Sequence, residues 1–240
     1  MTEAKRPIPD WLTRVRTVWN DRAPDWDKVS EVNALTEDRT ADIARLTVGL
    51  DLHHGSSLLD AGCGTGQWAI AFATLGCAVT AHDLAPAMVD RARDHAKDRG
   101  VSITFRTGDI SALPDPAATY DAIFGRCVLL FVPDPLAVLR EFRRVLKPGG
   151  RIFVSVPGAL SPIYNRSWRR FVEPGNVGTN FMVPWELETL LSENGWHVLE
   201  QWGDFGQNLM GARNELAEAV RHAPRELHQA AATTWGFIAE

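Results

Sequence analysis

"SSLLDAGCGTGQWAIAFA", residues 56–73, joins an apolar run typical of a buried β-strand to an alanine-rich stretch with helical character. Three glycines, Gly62, Gly64 and Gly66, stand between the two parts. A glycine-rich turn from strand to helix lets a ligand approach the backbone closely, and such turns commonly hold the pyrophosphate of NAD. The stretch therefore indicates a nucleotide-binding loop and leaves open whether its ligand carries a phosphate.

Short β-rich runs alternate with helical segments on the C-terminal side of this loop. We expect strands at 57–60, 78–83, 103–107, 120–126 and 151–156, nearly all continuously apolar. The connecting helices are expected at 65–75, 85–100 and 134–147, the last capped by Asp134 and ended by the turn Pro148-Gly149-Gly150. This alternation predicts an α/β fold with a mostly parallel sheet that helices cover on both faces.

The segments on either side of this core predict a helical cap and two insertions. Residues 8–50 indicate two or three helices, with Thr36 as a cap, and residues 196–202 and 234–239 indicate two late strands. A long segment rich in Gly, Pro, Asn and aromatic residues separates the core from a helix that begins at Pro184. The predicted organisation is an N-terminal helical cap at 1–50 and a core at 51–240, with a substrate lid insertion at 157–183 and a C-terminal helical insertion at 208–232.

The composition narrows the class of protein. The 240 residues are 45% hydrophobic, enough for one well-buried core, and the net charge of -5 disfavours a dedicated nucleic-acid binder. Cys63, Cys77 and Cys127 are too few for a disulfide framework and are typical of a reducing compartment. Their spacing also disfavours a zinc site, so we expect a cytoplasmic protein without a metal site. The N-terminal residues contain no long apolar run, so we expect no signal peptide and no membrane span.

Three acids follow three neighbouring strands of the predicted sheet. Asp60 and Asp83 end the first and second strands, and Asp109 comes just after the third, so all three face one crevice at the carboxyl edge. The Asp83 carboxylate can accept hydrogen bonds from a ribose diol, and Asp109 from an adenine amine while Ile110 packs on the ring. Because three acids would repel a pyrophosphate, the sequence predicts a cationic adenosyl ligand without phosphate.

Five motifs carry a resemblance to a known family: "LLDAGCGTG", "AHDLAPAMVDRAR", "TGDISALP", "YDAIFGRCVLLFVPDP" and "VLKPGGRIFVSVPG". In this order and spacing they resemble the class I S-adenosylmethionine-dependent methyltransferases, nearest to the small-molecule, quinone-pathway-like branch. The resemblance covers about residues 55–157. It implies a Rossmann-like fold with a seven-stranded, mostly parallel sheet whose last strand is antiparallel, and S-adenosyl-L-methionine as the cofactor.

The resemblance also implies roles for individual residues. In that family the acid at Asp60 lies near the methionine ammonium, and Asp83 holds the ribose. The remaining residues of the implied cofactor site are Gly62, Cys63, Gly64 and Gly66 in the loop, Leu84, Met88, Asp109 and Ile110 around the adenine, and Arg126 at the methionyl part. Trp19 and Trp26 lie in an N-terminal segment that folds over the cofactor in the family. They either contact the sulfonium, with a cation–π attraction, or anchor a helix to the core.

Candidate acceptor and catalytic residues are fewer. We expect Phe131 to contribute to an apolar wall, and Tyr164, Arg166 and Trp168 to bind the acceptor by stacking or by pairing with an acid. In-line methyl transfer mostly requires two aligned partners in a dry site, so a dedicated catalytic residue is not required. The catalytic residue is left open, with Tyr164 and Arg126 as candidates. His95 falls on a helix that we expect to be exposed, which makes it a poor candidate for a base.

The predicted function is methyl transfer from S-adenosylmethionine to an O, N or C atom of a small, partly aromatic or apolar metabolite. The protein is expected to act as a monomer or homodimer, without nucleic acid or membrane. Three alternatives stay open: a noncatalytic or non-methylating S-adenosylmethionine-binding protein of the same fold, a tRNA-modifying methyltransferase, and an NAD-dependent dehydrogenase.

Overall fold

The computed structural model describes residues 8–33, 37–161, 164, 179–205, 220 and 222–240. Its strands are β1 (Ser57–Ala61), β2 (Ala78–Asp83), β3 (Thr104–Thr107), β4 (Tyr120–Arg126), β5 (Leu146–Val156), β6 (Val198–Asp204) and β7 (Thr234–Ala239). Its helices are α1 (Ile8–Asn33), α2 (Glu37–Gly49), α3 (Gln67–Thr74), α4 (Pro86–Asp98), α5 (Pro135–Val145), α6 (Pro184–Glu193) and α7 (Arg225–Ala231). A 3-10 turn at Leu129–Phe131 follows β4.

The strands form one sheet in the order β3-β2-β1-β4-β5-β7-β6. Strands β1 to β5 pair in parallel, whereas β7 runs antiparallel to both β5 and β6. This confirms the predicted Rossmann-like, seven-stranded sheet with an antiparallel last strand. The strand order reverses between β1 and β4, and a sheet of this kind opens its ligand crevice at the carboxyl ends of the strands beside that point.

Two apolar layers cover the faces of the sheet. On one face, Leu59 and Ile123 pack in a cluster with Phe142 of α5. On the other face, Leu58 and Phe124 pack in a second cluster with helices α2 and α3. Because side chains alternate along each strand and both faces are buried, the central strands are apolar almost throughout.

Helix α5 and strand β5 differ from expectation at their junction. The predicted cap is present, since Asp134 Oδ1 accepts a hydrogen bond of 3.1 Å from the Ala137 N–H. However, β5 begins at Leu146, ahead of the predicted start at 151, because Leu146 is buried and pairs with Tyr120 before the register shifts. The residues expected to end the helix as a turn therefore belong to an irregular first part of this strand.

The flanking segments are described only in part. Two helices, α1 and α2, occupy the range for which two or three were expected, and the predicted cap Thr36 lies outside the described residues. The same holds for much of 157–183 and of 208–232, so the division into cap, core and insertions stays a prediction. Within the described part of the chain, none of the helices combines the length and apolarity that a membrane span requires.

Candidate cofactor and acceptor site

The glycine loop after β1 is pinned to the neighbouring strand β2. The N–H groups of Gly62 and Cys63 both donate to the carbonyl oxygen of His82, at 2.7 and 3.0 Å. The Gly64 N–H donates to Asp83 Oδ2 at 2.9 Å. Successive main-chain donors of the loop thus hold it against the end of β2, at the carboxyl edge of the sheet.

Two of the loop glycines are required by both backbone angle and space. Gly62 has a φ of 78°, and a Cβ atom on it would lie 2.5 Å from Val128 Cγ2. Gly66 has a φ of 85°, and its Cβ would lie 2.8 Å from the Cβ of Ala92 in α4. Residues other than glycine rarely adopt these angles, so the loop follows a path that only this composition permits. The same angle at Gly66 explains why α3 begins at Gln67 and not at the predicted 65.

Asp60 is a buried acid at the end of β1. Its side chain is 2% exposed, and Oδ2 accepts no hydrogen bond from the described residues. Burial raises the pKa of Asp60 to about 8, the nearby Asp83 raises it further, and the Ala69 N–H acts in the opposite direction. Without a ligand this carboxyl group therefore holds its proton at neutral pH and leaves one oxygen unsatisfied.

Asp83 lies beside Asp60 but is anchored by the main chain. Its Oδ2 accepts from the Gly64 N–H and its Oδ1 accepts from the Ala85 N–H at 2.8 Å. The pKa of Asp83 is raised above its usual value, because the effect of burial outweighs that of the surrounding N–H groups, which lower it. A carboxylate can accept about four hydrogen bonds, so acceptor positions remain for a vicinal diol.

The predicted adenine residues lie at the ends of β2 and β3. Asp109 is half-buried and both of its oxygens accept from Ser111, from the N–H at 2.9 Å and from the hydroxyl at 2.6 Å. Ile110 and Met88 are buried, with exposed fractions of 5% and 1%, and Leu84 is half-buried. These positions provide apolar surface next to an acceptor group, which suits a flat ring with an amino edge.

Cys63 takes part in the loop through its main-chain N–H, and its thiol is not reactive. Burial and the two neighbouring carboxyl groups, Asp83 and Asp60, raise the pKa of Cys63 well above its usual range. Because the thiolate is the nucleophilic form, this cysteine stays unreactive.

Aromatic side chains of α1 lie over the crevice. Trp26 Nε1 is 3.6 Å from the position that a Cβ on Gly64 would take. The Trp19 ring meets the rings of Trp26 and Phe131 edge to face, at 5.0 and 5.1 Å between centroids. Trp11 Nε1–H donates to the Phe131 carbonyl at 2.7 Å. The helix thus joins the predicted cofactor side, through Trp26, to the predicted acceptor side, through Phe131.

Asn20 is a structural contributor that the sequence reasoning missed. Its Oδ1 accepts a hydrogen bond of 3.0 Å from the Ala87 N–H in the first turn of α4. A signal was available, because the cap position of α4 is Ala85, which has no side-chain acceptor. A helix start without a local cap needs an acceptor from elsewhere or from water.

The end of β4 turns sharply toward the acceptor side. Cys127 has a φ of 52°, in the left-handed region, and its N–H donates to both the carbonyl and the hydroxyl oxygen of Ser155, at 3.2 and 3.1 Å. Just before it, the exposed Arg126 has its guanidinium 5.9 Å from the Trp68 ring. A strained backbone at this place is a common feature of functional sites.

The described residues include only some of the predicted acceptor residues. Tyr164 is 9% exposed and its hydroxyl donates to the Met182 carbonyl, while burial raises its pKa well above the usual range. Arg166 and Trp168 lie outside the described residues. Asn180, which the sequence reasoning missed, donates through Nδ2 to the carbonyls of Leu129 and Val132, at 2.6 and 3.1 Å. It ties the segment that precedes α6 to the turn after β4.

The arrangement as a whole suits a cation joined to a diol and a flat ring. Asp83 at the loop and Asp109 at the ring end disfavour a pyrophosphate, and Asp60 offers a buried, unsatisfied oxygen to a cation. Among the described residues, no group of three or more His, Cys, Asp or Glu is placed to hold a metal ion.

Comparison with known proteins agrees with this geometry. Residues 59–154 match a family described as a methyltransferase domain. The chain is 41% identical over 102 residues to the ubiquinone biosynthesis O-methyltransferase of Xanthomonas axonopodis pv. citri, covering 42% of this chain and 43% of that protein. It is 37% identical over 137 residues to the protein of the same name from Methylocella silvestris, covering 50% and 54%. The chain thus spans about half the length of the curated relatives it matches.

A solved structure extends the similarity beyond the matched domain. The structure described as the [4+2]-cyclase SpnF aligns with a TM-score of 0.61 and 25% identity, covering 82% of this chain and 78% of that one. The sheet order and the loop define a Rossmann-like protein of the class I methyltransferase fold. Residues 59–154 are therefore similar to a methyltransferase domain, and about half of the chain is similar to proteins named ubiquinone biosynthesis O-methyltransferase.

Proposed function

We propose that the protein transfers the methyl group of S-adenosylmethionine to an oxygen atom of a small, partly aromatic or apolar acceptor. The observation that carries the proposal is the pairing of the buried, unsatisfied Asp60 with the loop-anchored Asp83 at the glycine turn. A cationic cofactor with a ribose satisfies both groups at once. Oxygen is favoured among O, N and C because the relatives that match are named O-methyltransferases.

Each residue of the cofactor side has a proposed role. Asp60 faces the positive methionyl end, Asp83 accepts from the ribose hydroxyls, and the exposed Arg126 pairs with a carboxylate of the cofactor or acceptor. The other proposed contacts are the loop residues Gly62, Cys63, Gly64 and Gly66 and the adenine neighbours Leu84, Met88, Asp109 and Ile110. Trp19 and Trp26 cover the sulfonium, where an aromatic face attracts the cation.

The acceptor side is proposed to bind an apolar ring. Phe131 is held by Trp11 and Trp19, and Tyr164 meets Phe181 with ring centroids 5.5 Å apart. Arg166 and Trp168 remain candidates from the sequence. Because its pKa is raised and it donates to Met182, Tyr164 serves better to position the acceptor than to remove its proton.

The proposed reaction is an in-line displacement. A lone pair of the acceptor oxygen forms a bond to the methyl carbon, the carbon–sulfur bond breaks, and its electrons return to sulfur to give S-adenosylhomocysteine. The acceptor hydroxyl gives its proton to solvent before the site excludes water. Most of the rate enhancement then comes from alignment and exclusion of water, which the aromatic residues of α1 supply.

The test is a product assay with the purified protein. We would incubate it with S-adenosylmethionine and a panel of phenols, catechols and amines, and follow S-adenosylhomocysteine and product mass. A phenolic product heavier by one methyl group supports the proposal. Methylation restricted to amines or carbon would contradict the choice of oxygen. Stabilisation by NAD but not by S-adenosylhomocysteine would contradict the assigned cofactor itself.

A second candidate is a protein that binds S-adenosylmethionine without methylating. It is favoured by one observation, the similarity to a structure described as a cyclase. Tight S-adenosylhomocysteine binding without turnover across the panel would support this candidate.

We further propose a cytoplasmic monomer or homodimer that acts on small molecules without nucleic acid. The net charge of -5 supports this over a tRNA-modifying role. Salt-sensitive RNA binding would contradict the proposal, and light scattering would give the oligomeric state.

A further inference from the structure

The side of the glycine loop away from β2 rests on helix α4. Ala92 of this helix blocks the space beside Gly66, so loop and helix are in direct contact. One turn further along the same helix face, His95 Nδ1 lies 3.0 Å from the carbonyl oxygen of Thr65. A carbonyl only accepts, so Nδ1 carries the hydrogen and donates it.

His95 is therefore not the exposed helix residue that the sequence indicated. It is half-buried, and its partner Thr65 is only 1% exposed. A buried carbonyl that loses its donor costs far more than one that water can reach. The contact also joins residues 30 positions apart, so it is a tertiary tie and not part of the helix itself.

The loop is held from two sides. Toward β2, the N–H groups of Gly62, Cys63 and Gly64 donate to His82 and Asp83. Toward α4, the His95 side chain donates to Thr65, two residues before α3 begins at Gln67. The first set orients the loop at its entry, and the His95 contact orients it at its exit.

We propose that His95 is a positioning residue that holds the glycine loop in the conformation that binds the cofactor. The inference deepens the proposed function and rests on it, because it assigns the loop to S-adenosylmethionine. His95 acts through Thr65 and does not touch the cofactor. When the contact is lost, the loop exit can rotate to satisfy the buried carbonyl, and the site is populated less often in its binding-competent form.

A competing explanation is the helix dipole. His95 and Lys97 both lie in the last turn of α4, where positive charge is favourable. That role needs a charge at position 95, whereas the proposed role needs a hydrogen-bond donor at the place of Nδ1. The two requirements can be separated by substitution.

The experiment compares His95→Leu, His95→Asn and His95→Lys by calorimetric titration with S-adenosylhomocysteine and by thermal unfolding. Leu fills similar space without a donor, and Asn places an amide donor close to the Nδ1 position. Lys restores a positive charge and places its donors two bonds beyond the Nδ1 position. We expect His95→Leu to weaken binding roughly tenfold, the equivalent of one buried hydrogen bond, and His95→Asn to stay within about threefold of wild type.

A matched control separates loop positioning from general loss of stability. Ala96→Gly lies next to His95 in the same helix, is buried and lowers stability through helix propensity. We expect it to reduce the melting temperature without a matching loss of affinity. In turnover assays His95→Leu should raise the KM for S-adenosylmethionine with kcat nearly unchanged.

Three results would overturn the inference. His95→Leu binding as tightly as wild type is one, and rescue by Lys but not by Asn is another. The third is an equal loss of affinity in Ala96→Gly. Failure of the wild-type protein to bind S-adenosylhomocysteine would instead refute the proposed function, so the two failures are distinguishable.

Discussion

The two sides of the crevice are built in different ways. On the proposed cofactor side, the main-chain N–H groups of the loop at residues 62–66 donate hydrogen bonds to His82 and Asp83 on the adjacent strand. On the acceptor side, the turn at Leu129–Phe131 is held by side chains that come from distant parts of the chain. Trp11 and Asn180 reach it from sequence separations of 120 and 51 residues.

This difference indicates how each side can vary. The main-chain contacts of the proposed cofactor side need only glycines and a few acids. These residues form a short motif that can be recognised in the sequence. The acceptor side depends on whether distant apolar and amide side chains meet. One can therefore change acceptor residues without disturbing the loop, and the following predictions test that separation in order of decreasing effect.

The largest effect concerns the pH dependence that Asp60 gives to the free protein. Its folded pKa is about 8 against an ordinary value of 3.8, so the folded state binds more protons than the unfolded state between these values. The free energy of unfolding should therefore fall as the pH rises from about 4 to 8, by on the order of several kcal/mol. Asp60→Asn should flatten this dependence, as measured by urea unfolding at several pH values, and weaken cofactor binding.

Asp121 is a suitable control for this experiment. Its pKa is lowered to about 2, with Lys147 and Ser57 bonding to its carboxylate against the effect of burial. Its stabilisation is complete above about pH 4, so Asp121→Asn should lower stability by the same amount at pH 6 and pH 8. A slope that Asp60→Asn leaves unchanged would contradict the assignment.

Asp83→Ala should have the next largest effect, on the cofactor side alone. It removes the proposed ribose acceptor and releases the N–H groups of Gly64 and Ala85. Hydrogen bonds to a charged group contribute about 1.5–3 kcal/mol, so affinity for S-adenosylhomocysteine should fall about 100-fold. Calorimetry measures this loss. Asp90→Ala, an exposed acid on α4 paired with Arg93, should bind normally.

Gly62→Ala should disturb the point at which the two sides touch. The new Cβ meets Val128, which leads into the acceptor turn, and the φ of 78° is unfavourable for alanine. We expect the free energy of unfolding to fall by about 2–3 kcal/mol, as measured by chemical unfolding.

Two further variants separate the backbone part of this loss of stability from the steric part. Gly149 has a φ of 75° with nothing within 4 Å of its Cβ position, so Gly149→Ala should show only the backbone part, about 1 kcal/mol. The double variant Gly62→Ala, Val128→Ala removes the 2.5 Å clash with Cγ2 but keeps the Cβ of residue 128 at 2.9 Å, so the steric part should be relieved only in part. No difference between the single and double variants would show that the clash with Val128 is not the cause.

Asn180→Ala should have the smallest effect on stability and binding. We expect this effect to be limited to the proposed acceptor side. It removes the Nδ2 donor to Leu129 and Val132, at a cost of about 1–2 kcal/mol in unfolding free energy. Affinity for S-adenosylhomocysteine should stay within about twofold, while the KM of the acceptor rises. Asn194→Ala, an exposed amide that bonds within its own helix end, is the control and should change neither quantity. A large loss of cofactor affinity in Asn180→Ala would refute the separation of the two sides.

The local patterns predicted the sheet and placed the acids on one edge of it. Asp60, Asp83 and Asp109 could be located because each follows an apolar run, and parallel strands end at a common edge. The exact start of β5 could not be predicted, because Leu146 joins the sheet only through its pairing with Tyr120. Asn20 and Asn180 were missed, and His95 was wrongly expected to be exposed, because polar residues outside a motif look like ordinary surface residues until their distant partners are known.

The sequence by itself determined the fold class and the kind of cofactor, since strand periodicity, glycine spacing and the positions of acids are local properties. Only the tertiary structure decided how the loop is held from the side of α4 and how α1 lies over it. It also decided that Asp60 is buried with one unsatisfied oxygen. The pKa of Asp60 depends on this burial and on Asp83, which lies 23 residues away in the chain but in the adjacent strand. Burial and long-range hydrogen bonds arise only when distant segments pack together, and for that reason no local pattern could have contained them.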